Sequence, residues 1–124
     1  MKLRFSSSNI YVWGRGWAGR LGLGDENHRY EPTLLLNTNT ADNSHWSQIA
    51  CGAFHTAALT KDGKVFTWGY NFFGQLGHGD TFNRYIPTKV AALDEYVIIQ
   101  IACGHSHMAA LTENGEVFTW YVPL

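Results

Sequence analysis

No stretch of this sequence carries an excess of basic residues. Nine lysines and arginines stand against ten aspartates and glutamates, which gives a formal net charge of −1 at pH 7. Proteins that bind DNA or RNA usually present a basic surface, because neutralising phosphates supplies much of their affinity. The composition therefore argues against direct binding of nucleic acid and favours protein partners.

The sequence also lacks a long apolar run. No segment approaches the ~20 apolar residues of a transmembrane helix, and residues 1–8 have no apolar core of the kind found in a signal peptide. Only two cysteines occur, Cys51 and Cys103, and they form no CxxC pair. These absences predict a protein without a transmembrane segment that works inside the cell, in the cytoplasm or the nucleus.

Glycine and aromatic residues, by contrast, recur regularly along the chain. Trp13-Gly14 matches Trp68-Gly69 at an offset of 55 residues, and Cys51-Gly52 matches Cys103-Gly104 at an offset of 52. Longer stretches around both pairs recur in the same registers, which is the signature of a repeat architecture. The shorter second offset places a three-residue insertion in the polar stretch 37–44, which we predict to be a loop.

Almost all of the 13 glycines belong to this repetition, and only Gly16 lacks a partner. Glycine allows positive φ angles and close backbone approach. Because the same glycines recur in both copies, we expect structurally required positions at Gly22, Gly24, Gly77 and Gly79.

The local pattern is that of an all-β protein. Asp62-Gly63 and Asn114-Gly115 lie between runs of β-forming residues, which predicts two hairpins with two-residue primed turns. No stretch shows helical periodicity, and the run 97–101 is apolar enough to be buried on both faces. Further strands are predicted over residues 10–13, 33–36, 46–50, 88–90 and 96–102. Four short strands per ~50 residues is typical of a β-propeller blade.

Two of the repeated motifs resemble those of a known family. Residues 68–80 (Trp-Gly-Tyr-Asn-Phe-Phe-Gly-Gln-Leu-Gly-His-Gly-Asp) look like the glycine-rich loop of the regulator-of-chromosome-condensation repeat. Residues 49–59 and 101–111 look like its second hallmark, with Met108 where a smaller residue is usual. In the first glycine-rich loop, Gly16 and Arg20 stand where asparagine and glutamine are typical. The resemblance covers about residues 10–120.

This resemblance implies about two four-stranded antiparallel blades of an incomplete propeller, since family members usually close a ring of seven. The chain then divides into a tail (1–9), a first repeat (10–68), a second repeat (69–120) and a second tail (121–124). Two blades cannot close a ring, and open sheet edges recruit other strands. We therefore expect part of a larger propeller or assembly, or a homo-oligomer.

The histidines and cysteines raise the question of a metal. Cys51-x3-His55 and Cys103-x-His105-x-His107 contain residue types that zinc favours. Both motifs recur because the blade recurs, and His105 has an alanine as its counterpart, so we predict no metal and no cofactor. A disulfide would need Cα atoms within roughly 7 Å, which equivalent positions in adjacent blades should exceed.

Catalysis is not indicated either. No acidic residue adjoins His55 or His107, as a nucleophilic triad would require, so both are interpreted as buried structural histidines. Asp25 and Asp80 each follow a glycine turn and precede an arginine by four residues, which predicts loop-locking hydrogen bonds and ion pairs. The glycine-rich loops match no phosphate-binding motif. The chain is therefore predicted not to be an enzyme.

The tryptophans at equivalent positions, Trp13, Trp68 and Trp120, are predicted to lie in the core. The family includes a plant ultraviolet photoreceptor, but its Gly-Trp-Arg-His-Thr signature is absent here, so photoreception is not predicted. The loop tips carry three aromatic residues where the copies differ, since Trp17 corresponds to Phe72 and Ala18 to Phe73. Exposed aromatic side chains often anchor partners, so these three are the predicted partner contacts, with folding back onto their own loops as the alternative.

Three functions remain open from the sequence. The first is a protein-interaction scaffold of this repeat type. The second, implied by the family's founding member, is guanine-nucleotide exchange on a Ran-type small GTPase, although no insertion resembling that member's protruding β-wedge is visible. The third is a chromatin- or membrane-associated module, which the near-zero charge argues against.

Overall fold

The computed structural model describes residues 9–36 and 45–120, so the predicted loop at 37–44 and most of both tails lie outside the described residues. Runs rich in Val, Ile, Thr and aromatic residues form the strands, as their β-propensity predicts. The nine described strands are β1 (Ile10–Gly14), β2 (Arg29–Leu35), β3 (Trp46–Cys51), β4 (His55–Thr60), β5 (Val65–Gly69), β6 (Arg84–Lys89), β7 (Ile98–Cys103), β8 (Met108–Thr112) and β9 (Val117–Trp120).

These strands form three antiparallel sheets, in the orders β1-β2, β3-β4-β5-β6 and β7-β8-β9. The middle sheet is a complete four-stranded blade. The pairing of Gly14 with Arg29 between β1 and β2 repeats the pairing of Gly69 with Arg84 between β5 and β6, so the first sheet is the outer half of a blade. The predicted all-β fold of incomplete propeller blades is confirmed. Within the described residues, no helix is long and apolar enough to cross a membrane.

Both predicted hairpins form at the predicted positions, but the type of turn was predicted wrongly. The N–H of Gly63 donates to the carbonyl of Thr60 at 3.0 Å, and the N–H of Thr60 donates to the carbonyl of Lys64 at 2.9 Å. The loop is therefore three residues long, a type I turn followed by Gly63 at φ +89°. The second hairpin has the same bonds around Gly115, at φ +88°. A type I′ turn would also need a positive φ at Asp62.

The strands that contain proline begin earlier than predicted. β2 and β6 start at Arg29 and Arg84 and so include Pro32 and Pro87. Both are edge strands of their sheets, where a residue without an N–H leaves no ladder bond unmade. Two single 3-10 turns, Trp17–Gly19 and Ala91–Leu93, were not indicated by the sequence pattern.

The prediction that run 97–101 is buried on both faces is wrong. Ile98 and Ile101 are buried, whereas Val97 and Ile99 are exposed. A bulge between Ile98 and Gln100 shifts the register of β7, and one face of that strand packs towards the middle sheet. Apolar composition alone could not distinguish one buried face from two.

The core lies in two layers, one on each face of the middle sheet. Consecutive side chains of β4 point to opposite faces, so Ala57 and Leu59 join one layer and Ala58 joins the other. The layer towards the third sheet consists of Ala57, Leu59, Val65, Val90, Leu93, Ile98, Ile101, Met108 and Ala110. The layer towards the first sheet consists of Ile10, Val12, Leu21, Leu35, Trp46, Ala58, Phe66 and Trp68.

Adjacent sheets meet where a glycine of one loop lies over a tryptophan of the next sheet. A Cβ atom on Gly22 would lie 2.7 Å from Nε1 of Trp68, and a Cβ on Gly77 would lie 2.7 Å from Nε1 of Trp120. The indole N–H of Trp120 also donates to the carbonyl of Gln75 at 2.9 Å. Trp68 is completely buried and Trp120 half-buried, so each tryptophan is covered by the preceding loop.

Trp13 departs from this arrangement, and the prediction that it lies in the core is wrong. Its side chain is 59% exposed, and none of the described glycines lies against it. Equivalent strand positions do not ensure equal burial, because the cover comes from a neighbouring sheet rather than from the strand itself.

The glycine contact can be separated from backbone strain by a matched pair of substitutions. Gly77 and Gly79 both have φ +79°, but a Cβ on Gly79 meets nothing within 4 Å. We expect Gly79→Ala to lower the free energy of unfolding by about 1 kcal/mol through strain alone. Gly77→Ala should cost at least about 1 kcal/mol more because it clashes with Trp120. Denaturant unfolding measures both, and equal losses would contradict the proposed contact.

The open sheets also bear on the state of the isolated chain. Trp13 is exposed at one end, and β9 pairs on one side only among the described strands. Small domains bury little surface per residue, and free strand edges recruit partners. We expect the pure 124-residue chain to fold as a self-associated species rather than as a stable monomer at micromolar concentration. A monodisperse, cooperatively melting 13.9 kDa species in sedimentation and thermal melting would contradict this expectation.

Candidate functional site

Both glycine-rich loops are fixed by an aspartate that bonds to an arginine and to a backbone N–H. Arg29 contacts Asp25 at 2.9 Å, and Arg84 contacts Asp80 at 2.8 Å, so the predicted ion pairs are confirmed. The Asp80 carboxylate also accepts the N–H of Phe82 at 3.1 Å. In each loop the hydrogen bond from the arginine holds the pKa of the aspartate below its ordinary value. The loops are thus closed as the repeated Asp and Arg predict.

The second loop is further organised by two buried amides. Nδ2 of Asn71 donates to the carbonyl of Phe82 at 2.9 Å and to Oδ1 of Asp80 at 3.0 Å. Oε1 of Gln75 accepts the N–H of Phe73 at 2.9 Å. These bonds hold the aromatic loop tip in one position.

In the first loop a different side chain must accept the equivalent backbone N–H, because Arg20 occupies the position of Gln75. A guanidinium has donors but no acceptor, so it cannot accept the N–H of Ala18, the counterpart of Phe73. Instead Oε1 of Glu26 accepts that N–H at 2.9 Å. Ala18 is held at φ +59°, and it is the one non-glycine residue with a positive φ in the described part of the chain.

The Arg20 side chain instead contacts Ala53 and Phe54, which lie in the β3–β4 loop of the middle sheet. Its Nε donates to the carbonyl of Trp17 at 3.1 Å, and Nη1 lies 3.4 Å from the carbonyl of Ala53. The guanidinium carbon lies 4.7 Å from the centre of the Phe54 ring. Partial burial, reinforced by the nearby charge of Arg15, lowers the pKa of Arg20.

These loops surround an aromatic pocket of about 370 Å³ that opens to solvent. Its lining comes from loops of all three sheets and consists of Trp17, Ala18, Arg20, Phe54, Tyr70, Phe73, His105 and Ser106. The rings form a connected cluster, in which the centroid of the Phe54 ring lies about 6 Å from the ring centroids of both Tyr70 and His105. We call this site the aromatic pocket.

The structure brings the sequence-predicted contact residues to this place. Trp17 and Phe73 line the aromatic pocket, while Phe72 stacks on Tyr70 with ring centroids 5.5 Å apart. Trp17 and Phe72 remain 54% and 66% exposed. Both side chains are therefore largely exposed and are not buried in their own loops.

Sequence reasoning missed the other half of the pocket. Phe54 and His105 lie in the β3–β4 and β7–β8 loops, where the two copies also differ. The rule that selected Trp17, namely a difference between copies at a loop position, would have found both. Tyr70 and Arg20 lie beside the repeated glycines, and the substitution of Arg20 for the typical glutamine was the signal available there.

The two equivalent histidines have different surroundings, and the prediction that both are buried is wrong for His107. His55 is 1% exposed and His107 is exposed. The loop of the third sheet covers His55, since the N–H of Ala53 donates to the carbonyl of His105 at 3.2 Å. Burial lowers the pKa of His55 to about 4; the backbone of His107 opposes this lowering, while the charges of the His107 and His105 rings add to it. His55 is thus neutral at pH 7.

The described part of the chain holds no cluster of metal-ligating side chains. No three His, Cys, Asp or Glu side chains converge among residues 9–36 and 45–120. Cys51 and Cys103 are free thiols, and burial raises the pKa of Cys103 to about 12. A thiol of that kind is almost entirely protonated at neutral pH and unreactive.

Comparison with known proteins relates this arrangement to a family. A sequence profile described as the regulator of chromosome condensation (RCC1) repeat matches residues 7–59 and 62–111. The rat protein named probable E3 ubiquitin-protein ligase HERC4 is 44% identical over 115 residues. The aligned part is 92% of this chain but only 11% of that protein, so the chain spans a small fraction of this relative.

Solved structures show the same fold. Human WBSCR16 superposes with a TM-score of 0.81 at 28% identity, covering 94% of this chain and 29% of that one. Prp20p from Saccharomyces cerevisiae, described together with its binding to Gsp1p and histones, has a TM-score of 0.78 at 23% identity. That match covers 92% of this chain and 29% of Prp20p, and at such identity it shows the fold alone.

The lowered pKa of His55 predicts a specific loss of stability in acid. Between about pH 6.5 and 4 the unfolded chain binds a proton at this histidine that the folded chain does not. The free energy of unfolding should therefore fall over this range by an amount on the order of 1–3 kcal/mol. We expect His55→Phe to reduce this slope in denaturant titrations between pH 7 and 4, whatever its absolute stability, and to leave the part that comes from His78, whose pKa burial also lowers.

The loss below pH 4 should remain in the variant as an internal control. Asp25 and Asp80 have lowered pKa values, so their stabilising contribution is lost only as the pH falls through those values. Equal slopes for both proteins between pH 6.5 and 4 would contradict the role of His55.

Proposed function

The chain belongs to the regulator of chromosome condensation (RCC1) repeat family, and from this we propose that it is a protein-interaction module that binds partners through the aromatic pocket. It works as part of a larger propeller or assembly, in which other blades cover its open sheets. An intracellular location, in the cytoplasm or nucleus, is part of the proposal and accords with its two free thiols.

The observation that carries the proposal is the convergence of exposed aromatic side chains at the mouth of one pocket. Trp17, Phe54 and Phe73 come from three separate loops, and the Gln75 side chain fixes the backbone of Phe73. Loops on a rigid scaffold are common binding sites, and tryptophan and other aromatic residues dominate the affinity of protein interfaces. A concave apolar site with few polar groups suits the side chain of a partner.

We assign no catalytic step to the described residues. If the longer protein carries an activity such as that named for HERC4, this part supplies recognition and the chemistry resides elsewhere. Guanine-nucleotide exchange and attachment to chromatin or membranes have no specific support among the described residues. The likeness to Prp20p extends to the fold alone.

Binding through the pocket can be tested by comparing capture of cellular proteins by matched variants. Trp17→Ala combined with Phe73→Ala removes two pocket aromatics. Tyr30→Ala combined with Phe82→Ala removes two exposed aromatics outside its lining. We expect partners captured by the wild type to be retained by the control pair and weakened at least tenfold by the pocket pair, since hot-spot side chains contribute roughly 2 kcal/mol.

Quantitative proteomics followed by affinity measurement with one captured protein gives the answer. Circular dichroism first establishes that both variants keep the β-sheet spectrum of the wild type. If the captured proteins depend equally on both pairs, or on neither, the aromatic pocket is not the binding surface.

A further inference from the structure

We propose that the aromatic pocket takes a partner peptide in which an aspartate or glutamate adjoins a bulky apolar side chain, with Arg20 binding the carboxylate. This inference rests on the proposed function and adds to it the chemistry of the partner. It starts from the difference between the two otherwise matching glycine-rich loops.

Replacing the glutamine of this position by Arg20 rearranges the loop. In the second loop Gln75 is buried and serves the backbone of Phe73. In the first loop that task passes to Glu26, and the backbone adopts a positive φ at Ala18. Backbone conformations of this kind cost free energy and concentrate at functional sites. The first loop therefore places the positive charge of Arg20 at the pocket wall at the cost of a strained backbone. The second loop, with glutamine at this position, has no non-glycine residue with a positive φ.

That cation has no acidic partner in the described part of the chain. Arg29, Arg84 and Lys89 each lie within 4 Å of an aspartate, whereas no such ion pair is found for Arg20 or Arg15. Two hydrogen bonds to backbone carbonyls occupy part of the Arg20 guanidinium, which has five N–H donors. Donors thus remain for an incoming oxygen, and the positive charge at the rim favours an anion.

The surroundings of Arg20 favour a carboxylate attached to an apolar group. The guanidinium carbon lies 4.7 Å from the centre of the Phe54 ring, and this cation–π contact restrains the group while its remaining N–H donors can bond a carboxylate. Trp17 and Phe73 supply apolar walls on the same pocket. An acidic residue next to Phe, Trp or Leu would satisfy the charge and fill the cavity together.

A displayed library of random 12-residue peptides provides the probe. Selection on the 124-residue chain, in the oligomeric state in which it purifies, should enrich peptides with Asp or Glu beside a bulky apolar residue. Arg20→Gln restores the residue type of the second loop and is expected to fold. Lys89→Gln removes one positive charge at the far end of β6 and serves as the matched control.

Affinities of the selected peptides then test the contact directly. We expect Arg20→Gln to weaken binding at least tenfold and Lys89→Gln less than twofold. Replacing the peptide's acidic residue by its amide should cost the wild type a similar factor and cost the Arg20→Gln variant little, which is the double-mutant signature of a direct pair.

The other outcomes separate this inference from the function on which it rests. Peptides that need Trp17 and Phe73 but show no acidic preference and no dependence on Arg20 would overturn the carboxylate contact and leave the pocket function intact. Failure of any peptide to bind in a pocket-dependent manner would count against both. Binding of a phosphoserine version, with none of the Asp or Glu version, would overturn the carboxylate assignment in favour of a phosphopeptide.

Discussion

The close approach of a glycine to a tryptophan between adjacent sheets is the contact on which the rest of this structure depends. Gly22 lies against Trp68 and Gly77 against Trp120, at distances that leave no room for a Cβ atom. Each glycine also adopts a positive φ, a backbone conformation that other residues adopt only at a cost in free energy. One residue type thus meets two separate requirements, and any other would fail at least one of them.

This contact makes each blade stable through its neighbour rather than by itself. The middle sheet has a core layer on both faces, and its residues Trp68 and His55 are buried. The corresponding Trp13 of the first sheet and His107 of the third are exposed. Repeat proteins generally distribute their stability in this way, between repeats as much as within them. Each outer sheet therefore exposes a residue whose equivalent in the middle sheet is buried by a neighbouring sheet.

The same scaffold explains how a binding site can diverge without loss of the fold. The Asp–Arg pairs and the glycines hold both glycine-rich loops in place, so the positions between them are free to change. In the first loop Gly16 and Arg20 replace the asparagine and glutamine type that the second loop retains, and Glu26 takes over one of the lost hydrogen bonds. The positive charge of Arg20 and the ring of Trp17 thereby line the pocket. The cost in free energy is the positive φ of Ala18.

The sequence by itself determined the repeat, the all-β class, the hairpin positions and the Asp–Arg pairs, because each depends on residues close together in the chain. It also identified Trp17, Phe72 and Phe73 as aromatic residues of the loop tips, of which Trp17 and Phe72 are exposed and Phe73 is half-buried. Which equivalent residues are buried was decided only by the tertiary structure: Trp68 but not Trp13, His55 but not His107. The assembly of Phe54, Arg20 and His105 into one pocket was decided there as well. Both depend on contacts between sheets, which join residues 30 or more positions apart and leave no local pattern in the chain.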